Sequence, residues 1–236
     1  MVTDECNETV FRAAAAESSF GNSIHFEIFP ATMSQEDEAR MKLLVTDTCD
    51  LIVSCERAGP AKDGICYTMR GIDMNAKGLI APIHKIVDLA RELRKDVKYI
   101  AIGDGGNELG MGKVIDKIRD SPKIKDGDKI GAVTVSDYLI SASVSNWGGY
   151  ALSGACAILK NEDAGTSASD EVGVGAGDWV DKYVPTEEDE VKLLDRCVKA
   201  GCRDGVSGEM EATVDGMPLA TSMDCLSSIR SVCLLV

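Results

Sequence analysis

The sequence lacks an excess of positive charge and any long hydrophobic run. Its 236 residues include 25 lysines and arginines against 39 aspartates and glutamates, a formal net charge of −14 at pH 7. A field this negative repels phosphate backbones and anionic lipid surfaces, and a helix that spans a bilayer needs about 20 consecutive, mostly apolar residues. We therefore expect no nucleic-acid partner and no membrane partner, and we expect the ligand to be a small-molecule substrate.

Histidine is scarce, and the cysteines lack metal-binding spacing. The two histidines, His25 and His84, are not paired with each other at helical spacing, and the nine cysteines include no CxxC pair of the kind that zinc sites use. No GxSxG motif is present, so nucleophilic acyl chemistry has no support. The pattern suits a reducing compartment and argues against zinc.

The phosphate-binding loops of nucleotide enzymes are also missing. The motif GxxxxGK[ST] is absent, and Gly103 and Gly106 supply only part of GxGxxG. Asp104, Asn107 and Glu108 crowd that turn with oxygen atoms, and carboxylates repel a pyrophosphate group. We expect no nucleotide cofactor.

Strand-like and helix-like segments alternate along the chain, whose length and 44% hydrophobic content suit a single domain over residues 1–236. Alternation of this kind predicts an α/β fold, with a mostly parallel sheet and helices on both faces. The predicted strands are residues 25–29, 50–54, 99–102 and 130–135. The predicted helices are residues 9–16, 34–47, 79–93, 113–119, 147–159 and 223–229, with one more after Thr186. The polar stretch 161–177 predicts a surface loop, and residues 214–216 predict a turn.

Polar loops follow two of the predicted strands. The first strand ends at Cys55-Glu56-Arg57, and the next runs into the glycine-rich loop, residues 103–112, which holds Asp104, Asn107 and Glu108. Because the carboxyl ends of parallel strands meet at one edge of a sheet, Glu56, Asp104 and Glu108 are predicted to converge. Their hard oxygen atoms suit Mg²⁺, Mn²⁺ or Ca²⁺, or acid and base chemistry on an amine substrate. The competing interpretation is a turn whose acidic residues are solvated.

Substrate-binding candidates flank this loop. Arg57 and Arg70 are predicted to hold a carboxylate through paired hydrogen bonds, and Asp63 lies in the same stretch. Asn146, before a predicted helix, is a hydrogen-bonding candidate beside Trp147. The competing interpretations are surface salt bridges for the charged residues and core packing for Trp147.

Several longer motifs resemble a single family. They include GDGGNELGMGK at residues 103–113, together with residues 56–59, 63–64, 67–71, 137–140, 144–150 and the weaker 214–216. They resemble the C-terminal domain of the D-glutamate cyclase family over about residues 50–230, and the first fifty residues resemble it only loosely.

The resemblance implies a carbon-oxygen lyase that converts D-glutamate to 5-oxo-D-proline with loss of water, in the mitochondrial matrix. The N-terminus carries no basic presequence, so a cytoplasmic location is the alternative. Full-length members of the family carry a further N-terminal domain. Two alternative functions remain open, namely a divalent-metal-dependent phosphohydrolase and a non-catalytic metal-binding or ligand-binding domain of a larger enzyme.

The cyclisation reaction assigns expected roles to the candidate residues. Either Glu56 or Glu108 acts as the base, and Asp104 with Glu108 binds the metal. Either Asn107 or Asn146 donates a hydrogen bond to the developing oxyanion. Arg57 or Arg70 holds the α-carboxylate of the substrate.

Overall fold

The computed structural model describes residues 1–18, 21–166 and 176–235. The chain divides into two compact units, Met1–Ser145 and Asn146–Val236. Each unit is described below by itself, and a single domain over the whole chain stays a prediction. No helix in the described ranges is long and apolar enough to cross a membrane.

The first unit contains two small parallel sheets. β1 (Val2–Asp4) pairs with β2 (Glu27–Phe29), and β3 (Leu51–Cys55), β4 (Lys98–Gly103) and β5 (Tyr138–Ser141) form a three-stranded sheet in that order. The helices of this unit are α1 (Glu8–Ala15), α2 (Gln35–Leu43), α3 (Lys85–Leu93), α4 (Ile115–Asp120) and α5 (Gly127–Ile130). The predicted α/β fold with parallel strands is confirmed.

Helix α3 covers one face of the three-stranded sheet. Its Val87 packs with the buried β4 residues Tyr99 and Ala101 and with Leu109 of the glycine-rich loop. The helix begins at Lys85, six residues later than predicted. Pro82 explains the difference, because proline disfavours the helical conformation of the residue before it.

The predicted strand at residues 130–135 is wrong. Ile130 ends α5, and β5 begins only at Tyr138. The intervening backbone pairs with loops instead of a strand, since the amide of Ala132 donates to the carbonyl of Gly106 at 3.0 Å and the amide of Val133 donates to that of Pro60 at 2.9 Å. This apolar segment therefore holds the glycine-rich loop in place.

The second unit is helical within the described residues. Its helices are α6 (Ser145–Thr166), α7 (Ala176–Tyr183), α8 (Glu187–Lys199) and α9 (Leu219–Cys233). Ser145, the first residue of α6, is the last residue of the first unit. Its core contains Tyr150, Ala157, Val180, Val184 and Leu226. Thr186 caps α8 as predicted, because its hydroxyl accepts from the amide of Asp189 and the Asp189 carboxylate accepts from the Thr186 amide.

The surface loop predicted at residues 161–177 is wrong in part. α6 continues through Thr166 and α7 begins at Ala176, while residues 167–175 lie outside the described residues. The turn predicted at residues 214–216 is confirmed, since Val214 pairs with Met217 across Asp215 and Gly216, both of which have positive φ.

Candidate active site

The glycine-rich loop and the polar end of β3 lie side by side. Cys55 pairs with Ile102 in the parallel register of β3 and β4, and the amide of Glu56 donates to the carbonyl of Ile102 at 3.2 Å. Because both strands run in the same direction, the residues after them emerge at the same edge of the sheet. The sheet therefore brings Glu56 next to the glycine-rich loop.

Backbone hydrogen bonds then join the two loops. The amide of Gly59 donates to the carbonyl of Asn107 at 2.8 Å, and the amide of Leu109 donates to the carbonyl of Arg57 at 2.6 Å. A side chain at Gly59 would place its Cβ 2.7 Å from the Cα of Leu109, so only glycine allows this approach. The pairing fixes the residues that follow Glu56 against those that surround Glu108.

Three carboxylates converge at this edge. One oxygen each from Glu56, Asp104 and Glu108 lies within 4.8 Å of the other two. Their environments differ, because Glu56 is exposed, Asp104 is half-buried and Glu108 is only 2% exposed. The convergence predicted from the strand ends is confirmed, and the chemical roles of the three groups stay predictions.

Glu108 holds the glycine-rich loop from inside. Its Oε1 accepts from the amides of Gly105 at 2.7 Å and Asp104 at 3.4 Å, and its Oε2 accepts from the amide of Gly106 at 2.6 Å. Burial raises the pKa of this carboxyl, the backbone amides oppose that rise, and the charge of Asp104 adds to it. The loop is thus wrapped around a buried carboxyl group.

Asp104 is held by a neighbour that the sequence analysis did not identify. Its Oδ2 accepts from both the amide and the hydroxyl of Ser145, each at 2.9 Å, and Ser145 is fully buried. The arrangement is that of a side chain satisfying a free amide at the start of a helix. These contacts fix the orientation of the Asp104 carboxylate.

Glu56 and Cys55 complete the carboxylate edge. Glu56 has a left-handed backbone conformation with φ of 53°, which is uncommon for a residue other than glycine. Cys55 is exposed as a residue, but its thiol is surrounded by protein atoms and donates to the carbonyl of Ser145 at 3.7 Å. This desolvation, together with the charges of Glu56 and Asp104, raises the pKa of the thiol to about 11. Cys55 is therefore a neutral neighbour of the carboxylates and not a thiolate nucleophile.

Comparison with known proteins assigns the chain to a family. The model of the family described as D-glutamate cyclase-like, C-terminal, matches residues 1–230. The chain belongs to this family. The match begins at residue 1, so it includes the first fifty residues, whose motifs resemble the family only loosely.

A curated relative gives the same assignment. D-glutamate cyclase, mitochondrial, from Homo sapiens is 37% identical to this D-glutamate cyclase-like chain over 178 residues. The alignment covers 73% of this chain and 28% of the relative. The chain therefore spans less than a third of that protein's length.

Of the two arginines predicted to hold a substrate carboxylate, the structure pairs Arg57 with Asp4. Both of its terminal nitrogens donate to the Asp4 carboxylate, one of them at 2.9 Å, and it also donates to the carbonyl of Ala81 at 2.7 Å. Asp4 is buried and also accepts from the amide of Ala81 at 2.6 Å. This ion pair links β1, through Asp4, to the loop that follows β3, through Arg57. No sequence signal pointed to Asp4 as its partner.

The other predicted substrate-binding residues, and Asn107 among the predicted catalytic ones, have different surroundings. Asp63 accepts from the hydroxyl of Tyr67 at 2.6 Å, a bond that lowers the pKa of this carboxyl and fits a local structural role. Asn107 is buried, and its side-chain amide donates to the carbonyl of Tyr67 at 2.8 Å. Asn146 belongs to the second unit. Arg70 is exposed and follows Met69 in the chain. The sulfur of Met69 lies against Gly105 of the glycine-rich loop, where a Cβ on residue 105 would be only 2.7 Å from that sulfur.

The carboxylate cluster fits a hard divalent cation. Such ions bind oxygen at about 2.0–2.6 Å, so two ligand oxygens on one ion lie at most about 5 Å apart. The 4.8 Å limit on the separations among Glu56, Asp104 and Glu108 meets this condition. The cluster contains neither thiolate nor imidazole, which favours Mg²⁺, Mn²⁺ or Ca²⁺ over zinc.

Proposed function

We propose that this chain dehydrates D-glutamate to 5-oxo-D-proline, and that Glu56, Asp104 and Glu108 hold a divalent cation for the reaction. The observation that carries the proposal is the convergence of three carboxylates in a member of the D-glutamate cyclase-like family. The relative whose name includes this activity is much longer than the chain, so the activity comes to this chain as a proposal.

The reaction requires three events at the substrate. The amino group loses a proton, its nitrogen attacks the γ-carboxyl carbon, and one oxygen of that carboxyl leaves as water after protonation. A C–N bond forms and a C–O bond breaks, with no oxidation or reduction. A bound cation supplies polarisation of the γ-carboxyl group and offsets the charge of an anionic substrate near an acidic protein.

The environments of the carboxylates support a division of roles. Glu108 and Asp104 are held by backbone amides and by Ser145, and ligands fixed in this way suit a preorganised cation site. Glu56 is exposed and can exchange protons with solvent, so we assign it as the base that takes the proton of the substrate ammonium group.

Arg70 is our candidate for holding the α-carboxylate of the substrate. Arg57 is less suitable because its guanidinium already binds Asp4. Arg70 is exposed beside Met69, which covers Gly105 of the glycine-rich loop. A planar guanidinium can bind both oxygens of a carboxylate at once.

The test is direct measurement of 5-oxoproline formed from D-glutamate, with Mn²⁺ or Mg²⁺ and again with excess chelator. We expect cation-dependent product from the wild type, and a loss of about a hundredfold or more in Glu56→Gln, the usual contribution of general acid-base catalysis. Glu36→Gln is the matched control, because Glu36 is an exposed glutamate in the first turn of α2 and is not one of the three converging carboxylates, so this variant should retain the full rate.

Two outcomes would overturn the proposal. Equal rates in Glu56→Gln and Glu36→Gln would remove the cluster from the reaction. Hydrolysis of p-nitrophenyl phosphate without formation of 5-oxoproline would assign the same site to phosphate-ester hydrolysis instead.

A further inference from the structure

A small cavity lies at the end of the three-stranded sheet opposite the carboxylates. It encloses about 160 Å³ next to the amino-terminal ends of β3 and β4, whereas Glu56 and Asp104 follow the carboxyl ends of these strands. Its apolar surface includes Val87 and Ala90 of α3 together with Val97. All of its lining residues belong to the first unit.

Four cationic side chains line this small cavity, in a chain whose net charge is −14. They are Arg91, Arg94, Lys95 and Lys98. Their grouping at one opening produces a local field opposite in sign to that of the whole protein. A cleft lined by charge of one sign concentrates ligands of the opposite sign.

Two of these cations are already engaged. Arg94 pairs with Asp96 at 2.8 Å, and Arg91 donates to the carbonyl of Val135. Neither Lys95 nor Lys98 has a carboxylate within 4 Å in the described ranges, although both are exposed at the cavity. Neither ammonium group forms an ion pair there, and Lys98 acts on Asp96 only through its charge, which adds to the lowering of that carboxyl's pKa by the hydrogen bond from Arg94.

One carboxylate also lines the cavity and limits what can bind there. Asp137 contributes an acidic side chain, but its Oδ2 accepts from the amide of Tyr99 at 2.8 Å. One oxygen of this carboxylate is therefore already hydrogen-bonded to the backbone. Asp50 and Asp96 both pair with Arg94, at 3.8 Å and 2.8 Å, so the four cations face three aspartates and the remaining positive charge comes from the lysines.

Stabilisation of a helix end does not explain all four cations. Cations in the last turn of a helix stabilise its dipole, and this accounts for Arg91 of α3. It does not account for Lys98, which lies on β4. A helix residue and a strand residue thus supply positive charge to the same cavity.

We propose that this cavity binds a short organic acid, with its carboxylate at Lys95 and Lys98 and its apolar body against Val87, Ala90 and Val97. Pockets for drug-sized ligands enclose about 300–1,000 Å³, so 160 Å³ restricts the ligand to a few heavy atoms. The apolar wall favours an organic acid over inorganic phosphate. This site is independent of the proposed function.

The experiment is an NMR titration of the ¹⁵N-labelled chain with butyrate in the presence of chelator. We expect saturable shifts of the amides at residues 95–99, and no shifts at residues 104–108. Butylammonium, which has the same apolar body and the opposite charge, should give no saturable shifts. Inorganic phosphate should bind more weakly than butyrate, because it cannot use the apolar wall.

The decisive variant is Lys95→Ala/Lys98→Ala, with Lys123→Ala/Lys125→Ala as the control. The control removes the same charge from two exposed lysines outside the cavity. Butyrate affinity should fall about tenfold or more in the first variant, a change that corresponds to a lost charge-assisted contact, and should be retained in the control. Unchanged affinity in the first variant, or no saturable shift in the wild type, would overturn the proposal. The amide spectrum of each variant reports whether it is folded.

Discussion

The Glu108 carboxylate should stabilise the glycine-rich loop even when no cation is bound. Its two oxygens accept from three backbone amides, and the side chain is 2% exposed. Glu108→Gln keeps the size of the side chain, but one of its two terminal atoms becomes an NH₂ group that cannot accept. At least one of these three amides, which are buried or partly buried, then loses its partner.

The expected cost follows from that unsatisfied amide. An unpaired buried donor costs about 1–3 kcal/mol, and for a chain of this length about 1 kcal/mol lowers the Tm by about 2–4 °C. The loss of this partner should lower the Tm of Glu108→Gln by about 4–8 °C, taking about 2 kcal/mol as the central value. Relief of the desolvation that raises the pKa of the Glu108 carboxyl offsets part of this loss, because the amide carries no charge. Glu108→Ala removes every acceptor and should cost more.

The assay is thermal unfolding followed by circular dichroism in excess chelator, so that cation binding does not contribute. Amide exchange measured by NMR gives a local readout, because the protons of Gly105 and Gly106 should exchange faster in the variant than in the wild type. Glu56→Gln is the comparison, since an exposed side chain should change stability by only about 0.5 kcal/mol. Equal melting temperatures and unchanged exchange in Glu108→Gln would refute the reasoning.

Three further predictions concern residues outside the carboxylate cluster. Gly110→Ala should prevent stable folding, because its φ is +100° and the added methyl would lie 2.2 Å from the Cβ of a buried alanine. Asp4→Ala should destabilise the first unit by up to about 3–5 kcal/mol in urea unfolding, the cost of leaving a buried charge unpaired, because it removes the carboxylate partner of the partly buried Arg57. In the second unit, burial raises the pKa of Glu190, so its contribution to stability is present below the ordinary glutamate pKa and is lost as pH rises through the raised value. Glu190→Gln should therefore flatten the pH dependence of unfolding above that ordinary pKa and be at least as stable as the wild type at pH 7.

Each of these predictions has a control or a contradicting result. Gly149→Ala is the control for Gly110→Ala and should be tolerated. Gly149 lies in helix α6, where alanine is favoured over glycine, and the added Cβ would have no described atom of another element within 4 Å. Asp195→Ala removes an exposed ion pair with Lys199 and should cost less than about 1 kcal/mol. A Glu190→Gln variant whose unfolding depends on pH as steeply as that of the wild type would contradict the assignment.

The sequence predicts the carboxylate edge well because the relevant information is local. An apolar strand followed by polar residues indicates a buried strand that ends at a site, and two such strands in parallel bring Glu56 and Asp104 together. The competing interpretation of Trp147 as a packing residue is also supported, since it packs against the core of the second unit and donates to Ser222 at 3.1 Å.

Other features depend on contacts that the sequence does not encode locally. Asp4 and Arg57 are 53 positions apart, and only the fold selects this partner among many acidic residues. The apolar run at residues 130–135 has strand composition, but its amides bond to loops because no strand adjoins it there. The sequence predicts Glu108 as the base or as a metal ligand, and only the structure adds its role as an acceptor for the loop amides.

The central claim is that Glu56, Asp104 and Glu108 form one cation site, and titration with Mn²⁺ followed by electron paramagnetic resonance tests it most directly. The account predicts one Mn²⁺ per wild-type chain, displaced by Mg²⁺ or Ca²⁺, and binding weakened about tenfold or more in both Glu56→Gln and Asp104→Asn. Glu36→Gln should bind as the wild type does. Failure of the wild type to bind Mn²⁺, or equal affinity in Asp104→Asn and Glu36→Gln, would contradict it.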